Sequence, residues 1–270
     1  MVIALRRNLN RYSALATLAP KFYLAYRGWV WMDLFVRALA MVIFYYFWRA
    51  VYADQGTISG LTWAQTLNYV LLAQTFAESM RVDALGTIGY LMRDGLIGVE
   101  LLRPIDFQMS RYALSLMDSL IALIVALPLL GLGVLAFGLQ LPANPLVWFA
   151  FFVSLVLGHA VLYMFMWLIG CITFYTTEVW GLSVLVWSIH QFLSGALIPL
   201  TMLPDWLRGI ANALPFGQAV FVPISILSGV TPLIDVPSLW LTQILWLIGL
   251  FAASRWVFSI AVRKVTVQGG

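Results

Sequence analysis

Ser119-Leu120-Ile121-Ala122-Leu123-Ile124-Val125-Ala126-Leu127-Pro128-Leu129-Leu130-Gly131-Leu132-Gly133-Val134-Leu135-Ala136-Phe137-Gly138-Leu139-Gln140-Leu141-Pro142-Ala143-Asn144-Pro145 opens a stretch with no charged residue before Glu178. A membrane-spanning helix needs about 20 apolar residues. The stretch holds two, and Gln140 to Pro145, with two prolines and an asparagine, is the turn between them. Working outward, further charge-free stretches run 55–77, 179–204, 209–234 and 236–254. Six spans follow, at 29–51, 62–80, 112–139, 146–174, 179–199 and 238–261.

Composition agrees. Of 270 residues, 63% are hydrophobic and 10% charged, against roughly 25% charged in an average soluble domain. A soluble fold has too little interior to hide that much apolar surface. Cys171, the single cysteine, excludes an intrachain disulfide. No uninterrupted apolar run precedes Pro20, so the first span, and no cleaved signal peptide, is expected to direct insertion. The formal charge of +4 reflects basic residues that hold loops on the cytoplasmic side, and nucleic-acid binding is not expected.

Arginine and lysine then orient the chain. Arg6, Arg7, Arg11, Lys21 and Arg27 precede the first span. Arg81, Arg93, Arg103 and Arg111 lie between the second and third, and Arg263 and Lys264 follow the sixth. The opposite side carries Arg208, with Arg49 at the end of span one. Both termini and the 81–111 loop are therefore expected in the cytoplasm.

Residues 8–27 are too polar to span. Tyr12, Leu15, Leu18, Phe22, Tyr23 and Tyr26 recur at helical spacing among basic neighbours, which suits an interfacial helix kinked at Pro20. The 200–237 segment is apolar although it lies outside, and with Pro199 at its entry it carries six of the 11 prolines. Non-helical backbone survives at membrane depth only inside protein or beside a wet cavity. Short re-entrant helices fit it, one starting at Pro204-Asp205 with the carboxylate at the positive helix end. A seventh span at 209–234 is the alternative, and it would move the C-terminus outside. Trp29, Trp31, Trp63, Trp148, Trp180, Trp206, Trp240 and Trp256 fall at span ends as interfacial anchors. The expected fold class is thus all-α integral membrane: six transmembrane helices, an N-terminal amphipathic interfacial helix, and short re-entrant outside helices before the last span.

Several chemistries are absent from the pattern. A phosphate-binding loop requires G-x-x-x-x-G-K-[ST], and neither Lys21 nor Lys264 follows Gly or precedes Ser or Thr. His159 and His190 lie inside spans with no second ligand at metal spacing, and G-x-S-x-G and H-E-x-x-H do not occur. No catalytic, cofactor-binding or metal residue is assigned. A membrane-embedded enzyme would have to use His159 or His190. Charges in or beside spans are costly, about 2.5–3.5 kcal/mol on insertion scales. Asp33 and Arg37, four apart on one helical face, form an intramembrane charge pair. Glu78, Asp118 and Glu178 fall at span ends, where structural pairing or snorkelling is expected.

Eight of the 26 charged residues fall between Arg81 and Arg111. In this loop Arg93, Asp94, Glu100, Arg103, Asp106 and Arg111 intersperse both signs, while Leu91, Leu96, Ile97, Leu101 and Leu102 supply an apolar face and Pro104 ends or bends any helix before it. A loop that is larger than the other turns, and amphipathic, suits the docking of a soluble partner better than a plain connector.

Within it, Gly95-Leu96-Ile97-Gly98-Val99-Glu100-Leu101-Leu102-Arg103-Pro104, a G-x-x-G-x-x-L-L-R-P pattern after span two, resembles the ABC-2 type permeases, in particular the small six-span subunits of bacterial ABC-2 exporters. Leu197-Ile198-Pro199-Leu200, Leu203-Pro204-x-Trp206-Leu207 and Leu214-Pro215-Phe216 are similar to their outside loop before the last span. The likeness covers nearly the whole chain in order, as one domain, 1–270. It implies a bacterial plasma (inner) membrane permease without its own ATPase site, exporting a drug, peptide, lipid or other amphiphile. ATP and Mg would sit on a separate ABC ATPase, two copies per transporter. A second permease, identical or paralogous, would share the pathway and meet spans one, two and five. By position, Arg93, Asp94, Glu100, Leu101, Arg103 and Asp106 become the ATPase-coupling residues, and Asn8 to Arg27 the interfacial connecting helix. The alternative is an ATP-independent channel or secondary transporter, which would depend on Asp33 or Glu78.

Overall fold

Length and apolarity make four of the helices fit to cross a bilayer, in a computed structural model that describes residues 25–76, 78–176 and 179–264. They are Arg27–Val51, Phe107–Phe137, Pro145–Phe174 and Leu233–Lys264; a fifth is added if the bent pair Asp205–Asn212 and Phe216–Leu227, turned by 74°, counts as one broken span. The expected interfacial helix at 8–27 lies outside the described residues up to position 24, as does Glu178.

Helix α1 (Arg27–Val51) leads to a tight hairpin of β1 (Thr57–Ile58) and β2 (Leu61–Thr62). Ser59 and Gly60, both at positive φ, make its two-residue turn. This hairpin is a small departure from an all-α chain. Helix α2 (Trp63–Phe76) follows, and then a 3-10 turn at Glu78–Met80. The 81–111 segment folds as α3 (Ala84–Arg93) and the single turn α4 (Ile97–Leu101), and its last residues already belong to α5 (Phe107–Val125). Helix α5 starts five residues before the expected 112 because Asp106 caps it, accepting the Met109 N–H at 2.9 Å. The helix is interrupted at Ala126 and resumes as α6 (Leu127–Phe137), with Pro128, which lacks an amide hydrogen, in its first turn.

Helix α7 (Pro145–Gly170), capped by Asn144, is apolar all round and forms the axis of the molecule. Phe151, Tyr163 and Trp167 on it are almost wholly buried. Helices α8 (Trp180–Leu193) and α2 have 14 residues each, a rise of about 21 Å, and stop short of the expected bounds 62–80 and 179–199. After α8 the chain turns into buried, non-helical backbone whose first three carbonyls are each hydrogen-bonded. Tyr69 donates to the Gly195 carbonyl at 2.7 Å, Gln74 to that of Ala196 at 3.2 Å, and the Phe221 amide to that of Ser194 at 3.0 Å. Gly195 holds φ +87°, and a Cβ there would lie 2.7 Å from the Tyr69 hydroxyl oxygen.

The 200–237 segment contains α9 (Asp205–Asn212), α10 (Phe216–Ala219) and α11 (Phe221–Leu227) between 3-10 turns. The last two pack on α7, so closely that a Cβ on Gly158 would lie 2.3 Å from the Gln218 carbonyl oxygen. Gln243, on the final helix α12 (Val236–Ala261), is fully buried at this junction. Its amide donates to the carbonyls of Gln218 at 2.8 Å and Ser154 at 3.0 Å, and its oxygen accepts from the Ser154 hydroxyl. Buried polar groups in a lipid-facing protein need such partners.

Candidate functional site

The charged segment is built from below. Asp83 begins α3 by accepting the Gly86 N–H at 2.9 Å, and the helix packs its Leu85 and Ile88 against Gly170 at the end of α7. Gly95, at φ +69°, turns the chain out of α3, a conformation that glycine adopts without a Cβ penalty. The single turn α4 then inserts Ile97 inward, where it is buried.

Glu100 reaches back under this turn. Its carboxylate is ion-paired with Arg103 at 2.9 Å and with Arg111 on α5, and only 13% of its side chain is exposed. Arg111 also lies over the Phe107 ring at 5.6 Å, so the apolar foot of α5 and its charge both face the turn. Asp106 uses one oxygen for the α5 cap and the other for Arg255 on α12, at 2.6 Å. Gln108 completes this corner, donating to Ser254 at 2.9 Å and receiving Arg255 at 3.5 Å on its oxygen. The segment is thereby tied to α5 and α12 by side chains of opposite charge in a partly dry setting, where such pairs hold geometry.

These ties sort the six expected coupling residues into two groups. Glu100, Leu101 and Asp106 point inward or lie half-buried and hold the segment together. Arg93, Asp94 and Arg103 are exposed. Arg93 and Asp94 approach each other at 3.8 Å, and Asp94 also engages Tyr90, whose phenol is raised above its usual value first by that hydrogen bond and then by the Asp94 charge. Beside them stand Leu96, Val99 and Leu102, with Leu102 86% exposed. At three-residue spacing they share one face of the turn. The protruding surface is thus an apolar knuckle framed by Arg93 and Arg103. Val99 was missing from the sequence reading of this face, and Ile97 and Leu101 were counted on it although they point inward. The i, i+3, i+6 series from Leu96 carries the signal that separates them. Arg255 was also missed, because its partner lies 149 residues away.

Asp33 and Arg37 meet as an ion pair on α1, apart from the knuckle. Arg37 is buried, and its Nε and Nη1 have no partner among the described residues. His159 and His190 do not share a site. The first contacts the Ser115 hydroxyl at 3.3 Å, and the second packs between Trp187 and Phe216. No cluster of three potential metal ligands occurs among the described residues.

Apolar helices long enough to span, a buried polar junction packed between them and a charged segment carried on helix ends define a multi-pass helical membrane protein. A family model described as ABC-2 family transporter protein matches residues 38–269, and the chain belongs to that family: it is a permease of an ABC-type transporter. Membership implies an ABC ATPase partner and residence in a bilayer. No curated protein matches the chain.

Proposed function

We propose that this chain is the membrane subunit of an ATP-driven ABC-2 type exporter in the bacterial inner membrane, moving an amphiphilic cargo outward. ATP and Mg act on a separate ATPase, present twice, and a second permease, identical or paralogous, completes the pathway. Six passes are formed by α1, α2, α5 with α6, α7, α8 and α12, with α9 to α11 re-entrant from outside and both termini cytoplasmic.

The observation that carries the reading is the Leu96–Val99–Leu102 knuckle. Exposed leucines and a valine beside two cations cost solvation unless something covers them, and an ATPase surface with an apolar cleft and acidic rim fits. Ion pairs from Glu100 to Arg111 and Asp106 to Arg255 make the knuckle a stiff handle on α5 and α12. Contacts of α3 with the end of α7 carry motion toward the packed core.

Reversing Glu100 and Arg103 would break this handle as well as alter its surface, so the sharper test leaves it intact. Val99→Asp with Leu102→Asp should insert normally yet lose ATPase co-purification and ATP-dependent transport by about tenfold or more, as expected when an apolar contact receives buried charge. Retained docking and transport in that variant would remove the coupling role. Cargo flux through the purified chain alone in liposomes, without ATP, would favour a channel or secondary carrier instead.

A further inference from the structure

Helices α3 and α5, which the knuckle joins, wall a cavity of about 510 Å³ together with Glu78 and α7. Its size falls within the roughly 300–1,000 Å³ range of small-ligand clefts. Ser115 and Asp118 of α5, Thr87 of α3, and Tyr163 and Trp167 of α7 face it. Nothing in the coupling role uses this space.

Every charged group on its walls has a partner except one. Arg81 approaches Glu78 at 3.6 Å, and Arg111 is paired with Glu100. The Asp83 carboxylate accepts the Gly86 N–H at 2.9 Å, at the positive end of α3. Asp118 has no hydrogen bond or ion pair among the described residues. Sequence alone places it near a span end. The early start of α5 puts it in the fourth turn, about 16 Å along from Phe107, inside the stretch Phe107–Phe137 that is fit to cross a bilayer. An ionised carboxylate inside a span is costly, and such groups mark the paths of substrates or ions. A second group in the same wall is unsatisfied. Trp167 is wholly buried, and its indole Nε1 has no hydrogen-bond partner among the described residues, a condition that is rare for a buried donor.

The two point to one kind of occupant. The pairs at Arg81 and Arg111 cancel, so the charge left over in the wall is the carboxylate of Asp118. The Tyr163 and Trp167 rings, with centroids 5.8 Å apart, add aromatic surface that favours a cation. The free indole N–H calls for an acceptor atom on the same molecule. We propose that this cavity binds an organic cation with an aromatic body and a hydrogen-bond acceptor, with Asp118 as its countercharge. The proposal rests on the transport reading in one respect, that the occupant is cargo, and it then makes Asp118 the residue that selects cationic cargo. Because α3 and α5 are also the helices that carry the knuckle, the site lies where docking of the ATPase bears on its walls.

Equilibrium dialysis of berberine, an aromatic cation with ether oxygens, against the full chain in phosphatidylcholine nanodiscs tests it, with empty discs as the blank. No ATPase is present, so the result does not depend on docking or coupling. The expected result is saturable binding above the blank. Asp118→Asn should weaken it by about tenfold or more, as the loss of a charged partner does, while Asp118→Glu should keep most of it. Oxyberberine, the neutral lactam of the same ring frame, should bind weaker than berberine by a similar factor. Because Asp118 has no partner to strand, Asp118→Asn should melt no lower than the parent, and a lowered melting temperature would assign the carboxylate a structural duty and overturn the proposal. No saturable binding, equal affinity for oxyberberine, or parent-like binding by Asp118→Asn would overturn it too. Each of these would leave the knuckle and its ATPase test untouched.

Discussion

Arg37 shows what a single charge requires inside this protein. Its side chain is buried, one amino group meets Asp33, and the rest of the guanidinium has no partner among the described residues. Removing one member of such a pair is worse than removing both, because it strands a buried charge at about 3–5 kcal/mol. Asp33→Asn should therefore lower the detergent melting temperature markedly, while Asp33→Leu with Arg37→Met should restore most of it. A melting curve for Asp33→Asn that matches the parent would show the pair to be dispensable. The pair itself was legible, since two opposite charges four apart in an apolar run have one face to share. The incomplete satisfaction of Arg37 was not legible, because it depends on which neighbours surround α1.

Asp106 illustrates the same point for an element. It caps α5 and also holds Arg255 of α12, so two variants separate its duties. Asp106→Ala removes cap and pair together, and the cap alone is worth about 1 kcal/mol. Arg255→Met removes the pair only. Hydrogen exchange across 97–107 should quicken in both variants, and exchange of the Met109 amide should quicken in Asp106→Ala alone. Equal protection of Met109 in the two variants would show that the cap does not hold the helix start. An aspartate three residues before Met109 is a readable helix-start signal, although the first expected boundary was drawn at the last charge, Arg111. The shortness of α2 and α8 was not readable. Both sit in apolar runs long enough to continue, and each stops where a neighbouring element bends the chain: the 3-10 turn after α2, and the backbone after α8 that Tyr69 and Gln74 hold from the side.

At the scale of the whole molecule, the arginine asymmetry makes a directional prediction. Gln55, in the exposed turn before the β-hairpin, and Leu102, on the knuckle, should lie on opposite sides of the membrane. In intact cells a membrane-impermeant maleimide should label Gln55→Cys, and should label Leu102→Cys only after the membrane is opened. The native Cys171 is buried and should contribute little background. Labelling of both from outside would overturn the topology. The break of 74° between α9 and α10 and the packing of α10 and α11 on Gly158 belong to this scale too. The prolines at 199, 204, 215, 223 and 232 announced irregular backbone here, but not which helix would shelter it.

Residence in the membrane, the family and the position of the charged segment were determined by sequence alone. Each rests on local quantities: the transfer free energy of an apolar run, the sign of nearby charges, and short motifs in a fixed order. Only the tertiary structure decided that Glu100 faces Arg111, that Asp106 meets Arg255, that Leu96, Val99 and Leu102 are left uncovered, and that Asp118 lines a cavity with no partner among the described residues. Those outcomes depend on which helix faces come together, and with partners as far apart as 149 residues no local preference specifies them.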